Sequence, residues 1–207
     1  MAEPHNILVI RLSSLGDVLM SVPAVRALRR RFPNAHISWL AEGSVAGILA
    51  QQDFIDDVIY FPRGAVSRHL KTGHLPTTAY ILKDFLKTLR QRKYDLIIDF
   101  HGIAKSVAMM LLARGGRTVG FGTMFAKDMS HVFYREKIKG VEKRIHKVDR
   151  NMLIASFMGC TEPAPDLPLR AHDEARRYIH DFFKSHNIKQ PVFAVNPFAS
   201  KDSAFKR

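Results

Sequence analysis

The sequence predicts an α/β protein built on a parallel sheet, and three observations carry that expectation. Short apolar runs alternate along the chain with segments whose apolar residues recur every three or four positions. The runs are apolar through their middles, as strands covered on both faces must be. After a proline-rich stretch a fresh helix–strand pattern begins, which predicts a second unit of the same kind.

In order along the chain, Asn6–Arg11 reads as a buried strand, too short for a helix. The loop Leu12-Ser13-Ser14-Leu15-Gly16 leads to Asp17, where a helical pattern starts, with Val18, Val22, Val25, Leu28 and Phe32 on one face. Pro33-Asn34 stops that helix, and Ala35–Ala41 supplies the second strand. Asp57–Phe61 is the third. Arg63, Arg68, His69 and Lys71 then fall in a long loop before a helix over Thr78–Lys93, which turns Leu82, Leu86 and Leu89 inward. Asp95–Phe100 and Arg117–Phe121 are strands, separated by a helix over Ala104–Ala113, and Ile145, Val148, Met152 and Ala155 mark a helix ending near Gly159.

Three prolines within Pro163–Pro168 suit neither a helix nor a strand interior, so residues 162–170 read as a linker between a domain over 1–161 and further elements over 171–207. Those elements are a helix, Asp173–His186, and a strand, Pro191–Asn196, too few to bury a core alone. The expectation is an incomplete second domain, cut short at Arg207.

The formal charge of +13 is localised. Residues 62–93 hold eight Lys/Arg against one acid and residues 114–147 nine against three, while the rest of the chain balances. Such windows mark an anionic partner: a phosphorylated substrate, an acidic membrane surface or nucleic acid. Neither window has the interleaved aromatics of a base-stacking platform, so no nucleic acid is expected. The single cysteine, Cys160, excludes an internal disulfide and suits a reducing compartment. No run approaches the roughly 18 apolar residues of a membrane span, so a cytoplasmic protein is expected.

Arg11-Leu12-Ser13-Ser14-Leu15-Gly16-Asp17 lies at the carboxyl end of the first strand, where open α/β sheets bind ligands. Gly16 removes a side chain where a ligand approaches the backbone, and Asp17 opens a helix, a position that an ordinary cap also fills. One glycine makes neither a dinucleotide fingerprint nor a P-loop. A second constellation, Asp99-Phe100-His101-Gly102 with Lys105-Ser106, joins a strand end, a glycine and a basic helix residue, which suits an anionic or polyol ligand. Lys127 follows the glycine-rich turn Val119–Gly122, while Lys83, Lys87 and Arg90 read as a solvated helix stripe. No spacing of His or Cys suits a metal.

Four segments in register resemble glycosyltransferase family 9, the heptosyltransferases of the lipopolysaccharide inner core: ILVIRLSSLGDVLMSVPAVRALRRRFP, YDLIIDFHGIAKSVAMMLLAR, HKVDRNMLIASFMG and FAVNPFASKDSAFKR. The Ser-Ser-x-Gly-Asp form is similar to the branch that adds the first heptose. The resemblance implies a GT-B fold of two Rossmann-like domains, the first binding the acceptor and the second the nucleotide sugar. It implies inverting, metal-independent transfer, with no cofactor, from ADP-heptose to the Kdo region of lipid A at the inner face of the cytoplasmic membrane. Asp17 would be the general base. Gly16, Ser200 and Lys206 would contact the donor, and Ser14, Arg63, Arg68, His101, Gly102, Lys105 and Lys127 the acceptor. His101 departs from the family's usual glutamine, and Lys127 stands where an arginine is usual, keeping the charge but losing the bidentate fork. The competing readings are an inactive fragment and a basic anion- or nucleic-acid-binding α/β protein.

Overall fold

The computed structural model describes residues 3–43, 45–139, 144–161, 169–189, 191–193 and 195. The chain divides into two compact units, Met1–Arg170 and Ala171–Arg207.

The first unit is built on six parallel strands, β1 (Asn6–Ile10), β2 (His36–Glu42), β3 (Asp57–Phe61), β4 (Tyr94–Asp99), β5 (Gly115–Phe121) and β6 (Glu136–Ile138). Their order is β3-β2-β1-β4-β5-β6, that of a Rossmann-type doubly wound sheet. The winding reverses between β1 and β4, where Ile10 pairs with Leu40 on one side and with Asp99 on the other. The crevice beyond their carboxyl ends is the switch point at which such sheets bind ligands.

Two-residue alternation sends the strand side chains into two cores. Ile7, Val9, Trp39, Ile98 and Phe121 pack under α2 (Val22–Arg31), α3 (Val45–Leu49) and α7 (Lys147–Phe157). Leu8, Ile10, Leu40 and Ile97 pack on the other face under α5 (Leu75–Leu89) and α6 (Ala104–Leu112) through Phe85, Leu89, Val107 and Met110. α7 is keyed into place by Asn151, a buried amide that donates to the Met20 carbonyl (2.8 Å) and to Ser21 Oγ (3.2 Å).

Several boundaries differ from the sequence expectation, each for a local reason. The first helical segment is split into α1 (Leu15–Leu19) and α2, whose first turn carries Pro23. The expected long loop holding Arg63, Arg68, His69 and Lys71 is instead a helix, α4 (Arg63–Lys71). None of its residues is buried, and Val66 and Leu70 alone make no full apolar stripe to betray it. α5 begins at Leu75 with proline in its first turn, and its buried residues are Thr78, Phe85 and Leu89. Leu82, expected to face inward, is exposed although its spacing from Thr78, Phe85 and Leu89 places it at the border of that stripe. Gly120 lies inside β5 rather than in a turn: the Tyr134 ring lies over it, so that a Cβ there would fall 2.5 Å from ring carbon.

In the second unit α8 (Asp173–Ser185) forms as the sequence predicts, its start capped by His172 Nδ1 accepting from the Glu174 N–H. The described residues of the expected strand Pro191–Asn196, namely 191–193 and 195, are not in a strand, and Val192, Phe193 and Val195 are exposed. A strand needs a neighbour for its N–H and C=O groups, and among the described residues none pairs with these. The linker prolines lie outside the described residues.

Candidate active site

The β1 loop is anchored at the sheet edge by Arg11, which is charged yet buried and is engaged through both terminal nitrogens. Its Nη1 donates to the Phe100 carbonyl at the end of β4 (2.6 Å), and its Nη2 pairs with Asp17 Oδ2 (2.9 Å). Asp17 also accepts from Lys147 Nζ at the start of α7 (2.5 Å) and from Ser14 Oγ (3.3 Å). Partial burial pulls the Asp17 carboxyl upward, but the Lys147 hydrogen bond and the Arg11 and Lys147 charges outweigh it, and the group titrates below its ordinary range. Arg150, one turn along α7, lies over the rings of Phe121 (5.3 Å) and Phe125 (5.7 Å), close enough to Arg11 and Asp17 to be felt electrostatically. Arg11 Nε and Arg150 Nε are buried and have no hydrogen-bond partner. Three cations thus surround one carboxylate, leaving the crevice receptive to a further anion.

The β4 end is organised around Asp99, which is fully buried and accepts four hydrogen bonds. They come from Ser106 Oγ (2.6 Å), Tyr134 Oη (2.7 Å) and the N–H groups of His101 (2.7 Å) and Gly102 (3.2 Å). Burial pushes the Asp99 carboxyl up against those donors, and burial beside Asp99 pushes the Tyr134 phenol up as well. This network fixes the turn in which Gly102 takes a φ of +70°, a left-handed conformation suited to glycine. The Gly102 carbonyl then accepts from Lys127 N–H (2.8 Å), which ties the loop after β5 to the loop after β4.

His101 Nδ1 accepts from the Leu12 N–H (3.3 Å), so the neutral ring carries its proton on Nε2. Burial, then the Arg11 and Lys105 charges, lower its pKa to about 4. It is therefore a neutral donor at pH 7, which is what a glutamine amide in its place would also supply.

Glu42, at the end of β2, is the third anchor. Its side chain is 8% exposed and pairs with Lys105 Nζ through Oε1 and with Arg63 Nη1 through Oε2 (3.4 Å). An open pocket of about 530 Å³ lies here, lined by Ser13, Glu42, Tyr60, Arg63 and Ser67 among others.

The structure therefore brings Ser14, Asp17, His101, Gly102, Lys105 and Arg63 to one edge of the sheet, with Lys127 on the loop bonded to Gly102. Arg68 is not among them: it is exposed on α4, beyond Arg63, and forms no salt bridge among the described residues. A Cβ at Gly16 would meet nothing within 4 Å, so the fold itself makes no demand for glycine there. Ser200 and Lys206 lie outside the described residues. Sequence reasoning gave no role to Arg11, Glu42, Lys147 or Arg150. The last two stood inside the recognised segment HKVDRN at a spacing of three, which places both on one helix face.

A doubly wound sheet with a cation-held carboxylate at its switch point has the layout of a ligand-binding α/β domain. The profile described as Glycosyltransferase family 9 (heptosyltransferase) matches residues 82–207, and the chain belongs to that family. It is 28% identical to lipopolysaccharide heptosyltransferase 1 of Escherichia coli K12 over 160 residues, 76% of this chain and 49% of that protein. It is 31% identical to the Pseudomonas aeruginosa heptosyltransferase 1 over 101 residues, 49% of this chain and 28% of that one. Among solved structures, the E. coli heptosyltransferase WaaC with ADP superposes with a TM-score of 0.68 at 27% identity, covering 78% of this chain and 50% of that one. The same enzyme has been solved with ADP-2-deoxy-2-fluoro heptose. The family 9 structure from Veillonella parvula shares the fold at 18% identity, with a TM-score of 0.68 over 93% of this chain and 54% of that one. The chain spans about half the length of the E. coli relatives it matches. The six-stranded parallel sheet corresponds to about half of a GT-B heptosyltransferase.

Proposed function

We propose that the protein transfers heptose from ADP-heptose to the Kdo region of lipid A, by an inverting and metal-independent reaction at the anionic inner face of the cytoplasmic membrane. The observation that carries the reading is Asp17, an ionised carboxylate held by Arg11 and Lys147 beside the β1–β4 crevice in a chain of family 9. The complexes of the E. coli relative with ADP and an ADP-heptose analogue support the donor class.

In this reading an acceptor hydroxyl attacks the anomeric carbon from the face opposite ADP. The new C–O bond forms as the bond to the diphosphate oxygen breaks, ADP leaves with the electron pair, and Asp17 takes the hydroxyl proton. A carboxylate of lowered pKa is a weak base, so proton transfer comes late, once bond formation has made the attacking oxygen acidic. Arg11, Lys147 and Arg150 offset negative charge in the crevice, while Arg63, Lys105 and Lys127 supply the anion-binding side toward a Kdo carboxylate or a lipid A phosphate. Arg68 extends that basic surface along α4. Donor contacts fall to Gly16, Ser200 and Lys206, and the domain division at residues 162–170 separates the acceptor half from the donor half.

The test is Asp17→Ala in the complete protein, with sugar transfer followed by ADP release. Loss of a general base lowers kcat about 10²–10⁴-fold while the fold persists. A variant within about twofold of the parent would remove Asp17 from the mechanism.

A further inference from the structure

The two helical layers of the first unit differ in a way that the reaction chemistry does not use. On the α2–α3 side three of the four arginines of α2 are neutralised by acids: Arg26 by Asp53, Arg29 by Asp56 and Arg31 by Glu3. The apolar residues of α2, Val22, Ala24, Val25, Ala27 and Leu28, are buried. On the α5–α6 side Lys83, Lys87, Arg90 and Arg114 line one open, mainly apolar depression with Leu86, and none of the four forms a salt bridge among the described residues. The Arg90 Nε donates to the Leu112 carbonyl (2.7 Å), which joins the end of α5 to the end of α6.

Large apolar side chains stand exposed on the same layer. Tyr80 is 72% exposed and Leu111 59%, with Leu82 and Leu112 also exposed. Tyr80, Lys83 and Lys87 sit at positions i, i+3 and i+7, one stripe of α5 that points away from buried Phe85 and Leu89. At the other end of α5 the exposed Leu70 and Leu75 flank the turn from α4, whose first residue is Arg63 of the candidate site. Asp84 is the one acid between residues 62 and 93.

Unneutralised cations interspersed with exposed aromatic and leucine side chains are what an anionic lipid surface selects. The cations meet the headgroups and the apolar tips enter the headgroup–acyl boundary. We propose that the α4–α5–α6 layer is the face with which the protein lies on an anionic bilayer. It deepens the membrane partner named above, and rests on that reading only for where the surface operates. A purely solubilising basic stripe has no use for exposed Tyr80 and Leu111, and a strand-binding surface would stack bases on several aromatics where this layer exposes one.

Co-sedimentation of the chain with vesicles tests this without sugar transfer, so its outcome is separate from that of the Asp17 experiment. Vesicles of phosphatidylcholine with phosphatidylglycerol should bind the chain, and phosphatidylcholine alone should not. Lys83→Glu/Lys87→Glu should weaken partitioning at least tenfold, whereas Arg30→Glu/Arg31→Glu, the same charge change on the opposite layer, should not, with circular dichroism confirming that both fold. Tyr80→Ser/Leu111→Ser should lower binding at unchanged net charge. Equal losses in the two charge-reversed variants, unaltered binding in the Tyr80/Leu111 variant, or a Lys83/Lys87-dependent preference for RNA over vesicles would each overturn the proposal.

Discussion

Asp17 is held by cations from two directions, and that sets where its proton equilibrium lies. Lys147 donates directly to Oδ1 and contributes its charge, so removing it leaves burial less opposed and moves the carboxyl upward. In the complete protein the acid limb of kcat/KM should therefore lie at higher pH in Lys147→Ala than in the parent, since protonated Asp17 is the inactive form on the falling side. A limb that stays in place would show that the limb belongs to another group. His101 gives the opposite kind of signature. Its folded pKa, about 4, lies below an ordinary value near 6.5, so the unfolded chain takes up a proton that the folded chain refuses as the pH falls between those values. That contribution is intact above 6.5 and is lost progressively toward 4. Urea unfolding at pH 7 and pH 5 should show a smaller drop in midpoint for His101→Gln than for the parent; equal drops would mean that the ring is protonated in the fold.

Most of the elements that sequence periodicity revealed have a buried stripe or a covered strand. β1, β2, β4, the helix of Val22–Leu28, α6 and α7 carry such a pattern, β3 and β5 are covered in part, and α8 shows a helical period in its sequence although none of its residues is buried. α4 was missed because Val66 and Leu70 alone are too few large apolar residues to establish a period, and β6 because three residues do not establish one. The site was legible at Asp17, His101 and Lys105, which follow strands directly. It was not legible at Glu42, whose importance comes from Lys105 and Arg63 at the starts of two helices, a contact that no local pattern encodes. Glu42 thereby holds the ends of α4 and α6 in one arrangement. Glu42→Gln removes the charge with little change of shape, freeing both cations to wander. Acceptor KM should rise by about tenfold, with donor KM little changed; that corresponds to about 1.4 kcal/mol, in the range of one charged hydrogen bond. Equal changes in both constants would point to a general loosening of the domain instead.

At the scale of the molecule, the two compact units hold different shares of the proposed chemistry. The first carries Asp17 and the basic residues Arg63, Lys105 and Lys127 on the edge of a six-stranded doubly wound sheet with a core on each face. The donor-phosphate contacts inferred for Ser200 and Lys206 fall in the second, which has α8 as its one helix among the described residues. A diphosphate bound tightly by an α/β sheet rests on several converging groups, commonly backbone N–H donors at a helix start, and not on one lysine. The chain of residues 1–207 should therefore bind an anionic acceptor saccharide through the first unit and bind ADP no tighter than about millimolar, near −4 kcal/mol. Calorimetric titration separates the two. Arg63→Glu should abolish the saccharide heat and leave the ADP titration unchanged, since Arg63 belongs to the pocket beside Glu42. Micromolar ADP binding by these residues, about −8 kcal/mol, would instead place a working diphosphate site within them, and the first candidates would be the partnerless Nε groups of Arg11 and Arg150 in the crevice beside Asp17.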